Sequence, residues 1–149
     1  MPKCGDCEFI VTARCEFSGW PEGCALTKAD SKHVGDFLWR DVVCRHGAFH
    51  RLIIDGGPEN KGFVEALTKR VGIYRLRISA YNSKANGGIE GNHNDMRNAL
   101  AKMDGPWKDN LPAVLFAQRT SVKSSTGFTP YYLLFGEEAI LPLEITVPT

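Results

Sequence analysis

The sequence predicts a layered α/β fold within one domain spanning residues 1–149. Three observations carry that prediction: short β-branched apolar runs, longer stretches with apolar residues at helical spacing, and the alternation of the two along the chain. A chain of 149 residues is one domain's worth, long enough to bury about two thirds of its unfolded surface.

The first strand is read in "EFIVTARC" (8 to 15), and "WPEGCALTK" (20 to 28) returns as the second arm of a hairpin, with Pro21 marking an edge or an end. In "KADSKHVGDFLWRDVVCRHG", Asp30 or Ser31 can cap a helix that places Val34, Phe37, Leu38 and Val42 on one face. Arg45 and His46 fall in its last turn and Gly47 stops it. "RLII" (51 to 54) is a second kind of strand, apolar without alternation and broken at once by Gly56-Gly57-Pro58. "ENKGFVEALTKRVG" repeats the helical logic, with Phe63, Val64, Leu67 and Val71 on one face and Gly72 as terminator. "IYRLRIS" alternates so that Tyr74, Leu76 and Ile78 share a side, and "SAYNSKANGG" (79 to 88) is a polar loop. Beyond it Ile89, His93, Met96, Leu100 and Met103 form a helical stripe closed by Gly105-Pro106. "WKDNLPAVLFAQRTSV" predicts a further helix with Pro112 near its start, and "TPYYLLFG" a short one with Pro130 in its first turn. The proline-rich tail from Glu137 reads as irregular.

Composition narrows the function classes. The 18 basic and 17 acidic residues nearly cancel, so any nucleic-acid binding must rest on local patches. No run approaches the roughly 18 apolar residues of a membrane span, and "MPKCGDCEF" lacks the apolar core of a signal peptide. A soluble, intracellular chain with no membrane partner is expected. Five cysteines without a secretory signal point to reduced thiols. Cys4-x-x-Cys7 lacks the second ligand pair of a structural zinc site, so small hydrophobes or loop thiols are the expected roles of the cysteines.

Two acids stand out. Asp55 ends an apolar strand, the edge where ligands collect in open α/β sheets, although an Asp before Gly is also a common turn former. Glu90 opens the helix after the polar loop, where an acid complements the helix dipole and needs no other purpose. If the two converge, they make a site for a hard divalent cation such as Mg²⁺. Two such ions about 4 Å apart stabilise the attacking and leaving oxygens of an in-line phosphoryl transfer. Asn94 and Arg97 lie at i+4 and i+7 from Glu90, opposite the apolar stripe, and Arg75, Arg77 and Lys84 add local positive charge. That surface suits a phosphate backbone as well as it suits a solvated helix face.

Several segments together resemble the integrase catalytic core of Ty3/Gypsy-type long-terminal-repeat retrotransposons, particularly the form seen in fungal genomes. They are "SGWPEGCALTKADSKHVGDFLWRDVVCRHG", "LIIDGGPENKGF", "SAYNSKANGGIEGNHNDM" and "WKDNLPAVLFAQRTSVKSSTGFTPYYLLFGEEAILPLEI", in family order over nearly the whole chain. The resemblance implies an RNase H-like three-layer fold, with a mixed central sheet flanked by helices. It implies an Asp, Asp, Glu triad holding two Mg²⁺ or Mn²⁺ ions, and DNA (element ends and target) as the partner of 3′-end processing and strand transfer. By the same resemblance Asp55 is the second triad member and Glu90 the third, with 34 residues between them. Both are thereby catalytic and metal-binding candidates, and Lys84, Asn86, Asn94 and Arg97 are the nucleic-acid-binding candidates. RNA as a further nucleic-acid partner, a homo-oligomer and a nuclear location follow from the same source. Residues 124–149 correspond to a C-terminal segment that packs on or trails the core.

The chain also departs from the family. The strand carrying the first triad Asp corresponds to sequence upstream of Met1-Pro2, so the fold is expected without its first strand and with two unpaired edges. Asp6 belongs to a turn and does not fill that vacancy. Tyr81-Asn82-Ser83-Lys84 and Glu90-Gly91 stand where relatives carry Tyr-His-Pro-Gln and Glu-Arg. The expectation is a core whose integration activity is impaired, with at most weak metal binding. The alternative is a non-catalytic nucleic-acid-binding or dimerisation module.

Overall fold

The computed structural model describes residues 2–78 and 94–142. Strands β1 (Phe9–Arg14) and β2 (Pro21–Leu26) form the expected antiparallel hairpin, in a register that sets Phe9 opposite Leu26 and Arg14 opposite Pro21. Helix α1 (Ser31–Phe37) starts at Asp30, whose side chain accepts from the His33 amide at 2.9 Å. It continues through a π-helical stretch (Leu38–Val43) into a last turn (Cys44–His46), and Gly47 stops it at a φ of 82°.

Strand β3 (Arg51–Ile54) runs parallel to β4 (Tyr74–Arg77), and helix α2 (Phe63–Val71) crosses between them, ending on Gly72 in the left-handed conformation. The Ser31 hydroxyl joins the two helices, donating to the Lys61 carbonyl and accepting from the Val64 amide. Helix α3 covers 94–101 among the described residues, α4 is Trp107–Thr120, and α5 is Pro130–Phe135, capped by the Thr129 hydroxyl on the Tyr132 amide.

The sheet is split. β1 pairs only with β2 and β3 only with β4, so among the described residues no strand joins the two pairs. Both pairs nevertheless rest on one helical layer. Val11, Ala13 and Cys24 of the hairpin and Leu52 of β3 pack against a cluster of Val34, Phe37, Leu38, Val64 and Leu67 from α1, its π-helical extension and α2. Fully burying a side chain the size of Phe37 contributes about 1.5–3 kcal/mol. The opposite face of the hairpin, at Ile10 and Ala25, packs on a second cluster of Met96, Leu100, Trp107, Leu111, Val114 and Leu115 from α3 and α4. Helices therefore cover the hairpin on both faces.

Two apolar positions depart from the sequence reading. Phe63 is not on the buried face of α2. It lies half exposed across α1 at Gly35, where a Cβ would come within 2.3 Å of its ring. Met103 lies beyond the end of α3 and is partly exposed, because the chain turns toward Gly105 once Leu100 is buried. Helix α4 starts at Trp107, one and a half turns before Pro112, with Pro106 as its cap.

A buried ionic hub fastens the hairpin. Glu22, 5% exposed, accepts from Arg119 Nη2 at 2.7 Å and Trp20 Nε1 at 3.1 Å, with His46 Nε2 2.8 Å away and Arg45 Nη1 at 3.5 Å. Arg119 also donates twice to the Pro21 carbonyl and stacks over the Trp20 ring at 4.6 Å. Two partners thus surround each oxygen of the carboxylate, the kind of environment in which a buried charge is tolerated. Trp20 in turn meets Tyr131 and Phe135, so α5 packs against the end of the hairpin.

Candidate functional site

Asp55 follows β3 directly and is exposed. Its Oδ1 accepts from the Gly57 amide at 3.1 Å and from Asn60 Nδ2 at 2.7 Å, closing the turn that carries the chain into the 3-10 segment Pro58–Asn60. The turn-forming role of an Asp before Gly is therefore real, and it uses one oxygen. The second oxygen, Oδ2, has no hydrogen-bond partner among the described residues.

The turn is braced from the neighbouring strand. Arg75 Nη1 donates to the Asn60 carbonyl at 3.3 Å and to Glu65 Oε1 at 3.0 Å. That hydrogen bond, together with the nearby charges of Arg75 and Arg77, holds the Glu65 carboxyl below its ordinary range. Arg75 is consequently committed to structure and is not the open cation that the sequence suggested. Arg77, paired with Ile54 in the ladder, remains exposed, and its guanidinium passes 3.8 Å from where a Cβ on Gly56 would stand. One bare carboxylate oxygen and one exposed guanidinium therefore share the carboxyl end of a parallel strand pair, the edge where open α/β sheets bind ligands.

Asn94 and Arg97 are exposed on α3 and line a cavity of about 870 Å³, together with Pro2, Lys3, Cys4 and Trp107. No contact links them to Asp55. Glu90, Lys84 and Asn86 lie outside the described residues. The pairing of Asp55 with Glu90 is accordingly not part of this geometry.

Asp55 Oδ2 is the type of donor that Mg²⁺ or Mn²⁺ takes, since these ions accept one or two carboxylates and keep several waters. The described residues bring no second acid beside it, and among them no three His, Cys, Asp or Glu side chains gather closely enough to hold a metal. They do not make a complete divalent-ion site.

Sequence reasoning did not assign the brace formed by Asn60, Arg75 and Glu65. An amide five residues after a turn Asp was its only local sign, and the Arg75 to Glu65 pair depends on how β4 lies beside α2. The Glu22 hub was missed for the same reason, its four partners being spread from Trp20 to Arg119.

No protein-family model matches the chain. A curated relative, the Gag-Pol polyprotein of Walleye dermal sarcoma virus, is 26% identical over 127 residues, which is 80% of this chain and 7% of that polyprotein. The chain thus spans a small fraction of the curated relative it matches. Among solved structures, the catalytic core domain of BIV integrase superposes with a TM-score of 0.69 at 23% identity, covering 83% of each chain. A chain of the simian T-cell lymphotropic virus intasome, solved in complex with the PP2A regulatory subunit B56 gamma, gives a TM-score of 0.75 at 16% identity. It covers 85% of this chain and 48% of that one. The fold is that of the retroviral integrase catalytic core.

Proposed function

We propose that this chain is an integrase-type catalytic core of retrotransposon origin which, as these 149 residues, binds nucleic acid but carries out little or no strand transfer. The observation that carries the reading is the position of Asp55. In an integrase-core fold it sits at the carboxyl end of the parallel strand pair, with one oxygen bonded into its turn, the other without a hydrogen-bond partner among the described residues, and Arg77 alongside. The Ty3/Gypsy assignment, of the fungal form, rests on the sequence segments quoted above. The partners on this reading are element and target DNA, with RNA as a further polyanionic ligand, and the site of action is the nucleus.

On this reading Asp55 and Glu90 are the second and third members of the acidic triad and hold one divalent ion weakly. Lys84, Asn86, Asn94 and Arg97 lie along the phosphate backbone. No step of phosphoryl transfer is assigned to the chain, because among the described residues a single acid stands at the site, and one carboxylate oxygen fixes neither an attacking nor a leaving oxygen. What it can supply is cationic and polar contact to phosphates, which gives sequence-independent affinity that falls with salt.

The test is fluorescence anisotropy on labelled duplex DNA over a salt series, with a strand-transfer assay in Mg²⁺ and in Mn²⁺. Expected are binding whose logarithm falls linearly with log salt and no joined product. Metal-dependent joining that Asp55→Asn abolishes would overturn the proposed loss of activity. Absence of DNA binding at low salt would overturn the nucleic-acid assignment.

A second reading, a self-association module, is favoured by the apolar surface around α5. Phe128 stacks on Tyr132 at 5.1 Å between ring centres, and Phe135 and Ile140 of the same C-terminal segment are exposed. Exposed apolar patches of this kind mark interaction surfaces. Sedimentation of the purified chain decides it: mass rising with concentration supports self-association, and a constant monomer mass rejects it.

A further inference from the structure

The turn Cys4-Gly5-Asp6-Cys7 is not used by the proposed function, and its geometry is specific. Cys4 and Cys7 exchange both backbone hydrogen bonds, Cys4 N to Cys7 O at 2.9 Å and Cys7 N to Cys4 O at 3.1 Å, so they form an isolated antiparallel bridge. Residues that exchange both bonds have Cα atoms about 5.5 Å apart, with both side chains on one face of the ladder. A disulfide requires Cα atoms about 4.4–6.8 Å apart.

The packing agrees with this placement. Cys7 belongs to the α3/α4 cluster and Cys4 packs against the same cluster. Gly5 holds the turn at a φ of 59° while Asp6 keeps a negative φ, the sign pattern of a II′ hairpin turn with glycine in its first central position. Both thiols are free. Their access differs: Cys7 is buried, whereas Cys4 is half-buried and lines the cavity that also holds Arg97.

We infer that Cys4 and Cys7 are a redox modification site, a dithiol preset by its turn to close reversibly into an intramolecular disulfide when it meets a small-molecule disulfide oxidant. Cys4 Sγ, reached through the cavity, attacks one sulfur of oxidised glutathione, forming a mixed disulfide and releasing the first glutathione thiolate. Cys7 Sγ then attacks the Cys4 sulfur, forming the protein disulfide and releasing the second. The protein thiols give up two electrons and two protons, and both leave on two molecules of reduced glutathione. Because Cys7 already faces Cys4, the second step outruns the first and the mixed disulfide does not accumulate. Closure fixes the wall of the cavity opposite Asn94 and Arg97, where the Pro2 carbonyl accepts from Trp107 Nε1 at 2.7 Å.

The experiment treats the folded full chain with excess oxidised glutathione, alkylates the remaining thiols and maps the tryptic peptides. Cleavage after Lys3 and Arg14 leaves Cys4 and Cys7 in one peptide with no other cysteine. The expected peptide is lighter by two hydrogens and takes up alkylating agent only after reduction, while Cys24 and Cys44 are alkylated directly. In Cys7→Ser the glutathione adduct should remain on Cys4. Gly5→Val tests the preset turn itself: a Cβ at Gly5 meets nothing within 4 Å, so its effect is confined to the strained backbone. Closure should slow about tenfold, because a β-branched residue is disfavoured at positive φ. Three results would overturn the inference: a glutathione adduct persisting on wild-type Cys4, linkage of Cys7 to Cys24 instead, or undiminished closure in Gly5→Val.

Discussion

The hairpin β1–β2 and the parallel pair β3–β4 are both two-stranded, yet they are held in very different ways. Helices cover the hairpin on both faces, and the Glu22 hub bolts it to α1 and α4. The parallel pair rests on the helical layer through Leu52, while Tyr74 and Leu76 of β4 are exposed. Parallel strands are ordinarily buried on both faces, so a parallel pair covered on one side among the described residues is the weaker half. Asp55 stands on that weaker half. Tight packing and candidate chemistry are therefore separated in this chain, and the edge bearing the acid is also the edge with an unpaired neighbour.

The largest effect expected is in the shared helical layer. Phe37→Ala removes a fully buried ring beneath both strand pairs and should cost about 3–5 kcal/mol, read as a lower urea midpoint of one cooperative transition. If the halves separate into two transitions, the layer does not couple them. Glu22→Ala acts on the hairpin alone. It leaves Arg119 half-buried without its carboxylate and should cost about 3 kcal/mol.

Hydrogen exchange compares the halves directly. Amides of β1 and β2 that bond to each other should be the slowest, and strand amides that point away from their only partner, above all in β3, should exchange much faster. Uniformly slow exchange through Arg51–Ile54 would contradict an open edge there. A smaller effect is local to the acid: Asn60→Ala removes one bond to Asp55 and should cost about 1 kcal/mol, with the loosening seen in the amide of Gly57.

The smallest is a pH effect. Glu65 has its folded pKa lowered, chiefly by the Arg75 hydrogen bond, so its contribution is present above the ordinary glutamate value of about 4.3. It fades as pH falls through the depressed folded value. Glu65→Gln should flatten that part of the acid limb of the stability curve and leave neutral pH little changed.

The elements were legible where local chemistry decides them. Asp30 as a cap, Gly47 and Gly72 as stops, Pro130 in the first turn of a short helix, and the hairpin with Pro21 at its edge or end are matters of backbone geometry within a few residues. Phe63 and Met103 misled because periodicity reports which side of a helix is apolar, not where the neighbouring helix presents a gap such as Gly35 or where the chain turns. Asp55 was singled out by its place after an apolar run, whereas Asn60 and Arg75, which hold it, were not, since a brace across two strands leaves no sign in spacing.

The amino-acid sequence by itself determined the order and kind of the elements, and it marked Asp55 as an acid at a strand's end, because capping, turn formation and hydrophobic period act over short stretches of chain. Only the tertiary structure decided that Arg75 is committed to Glu65 while Arg77 is open, and that Cys4 faces Cys7, and it left the two strand pairs unjoined among the described residues. Those outcomes turn on which groups remote or differently oriented chain segments bring within hydrogen-bonding distance, and on which strand edges are left without a partner.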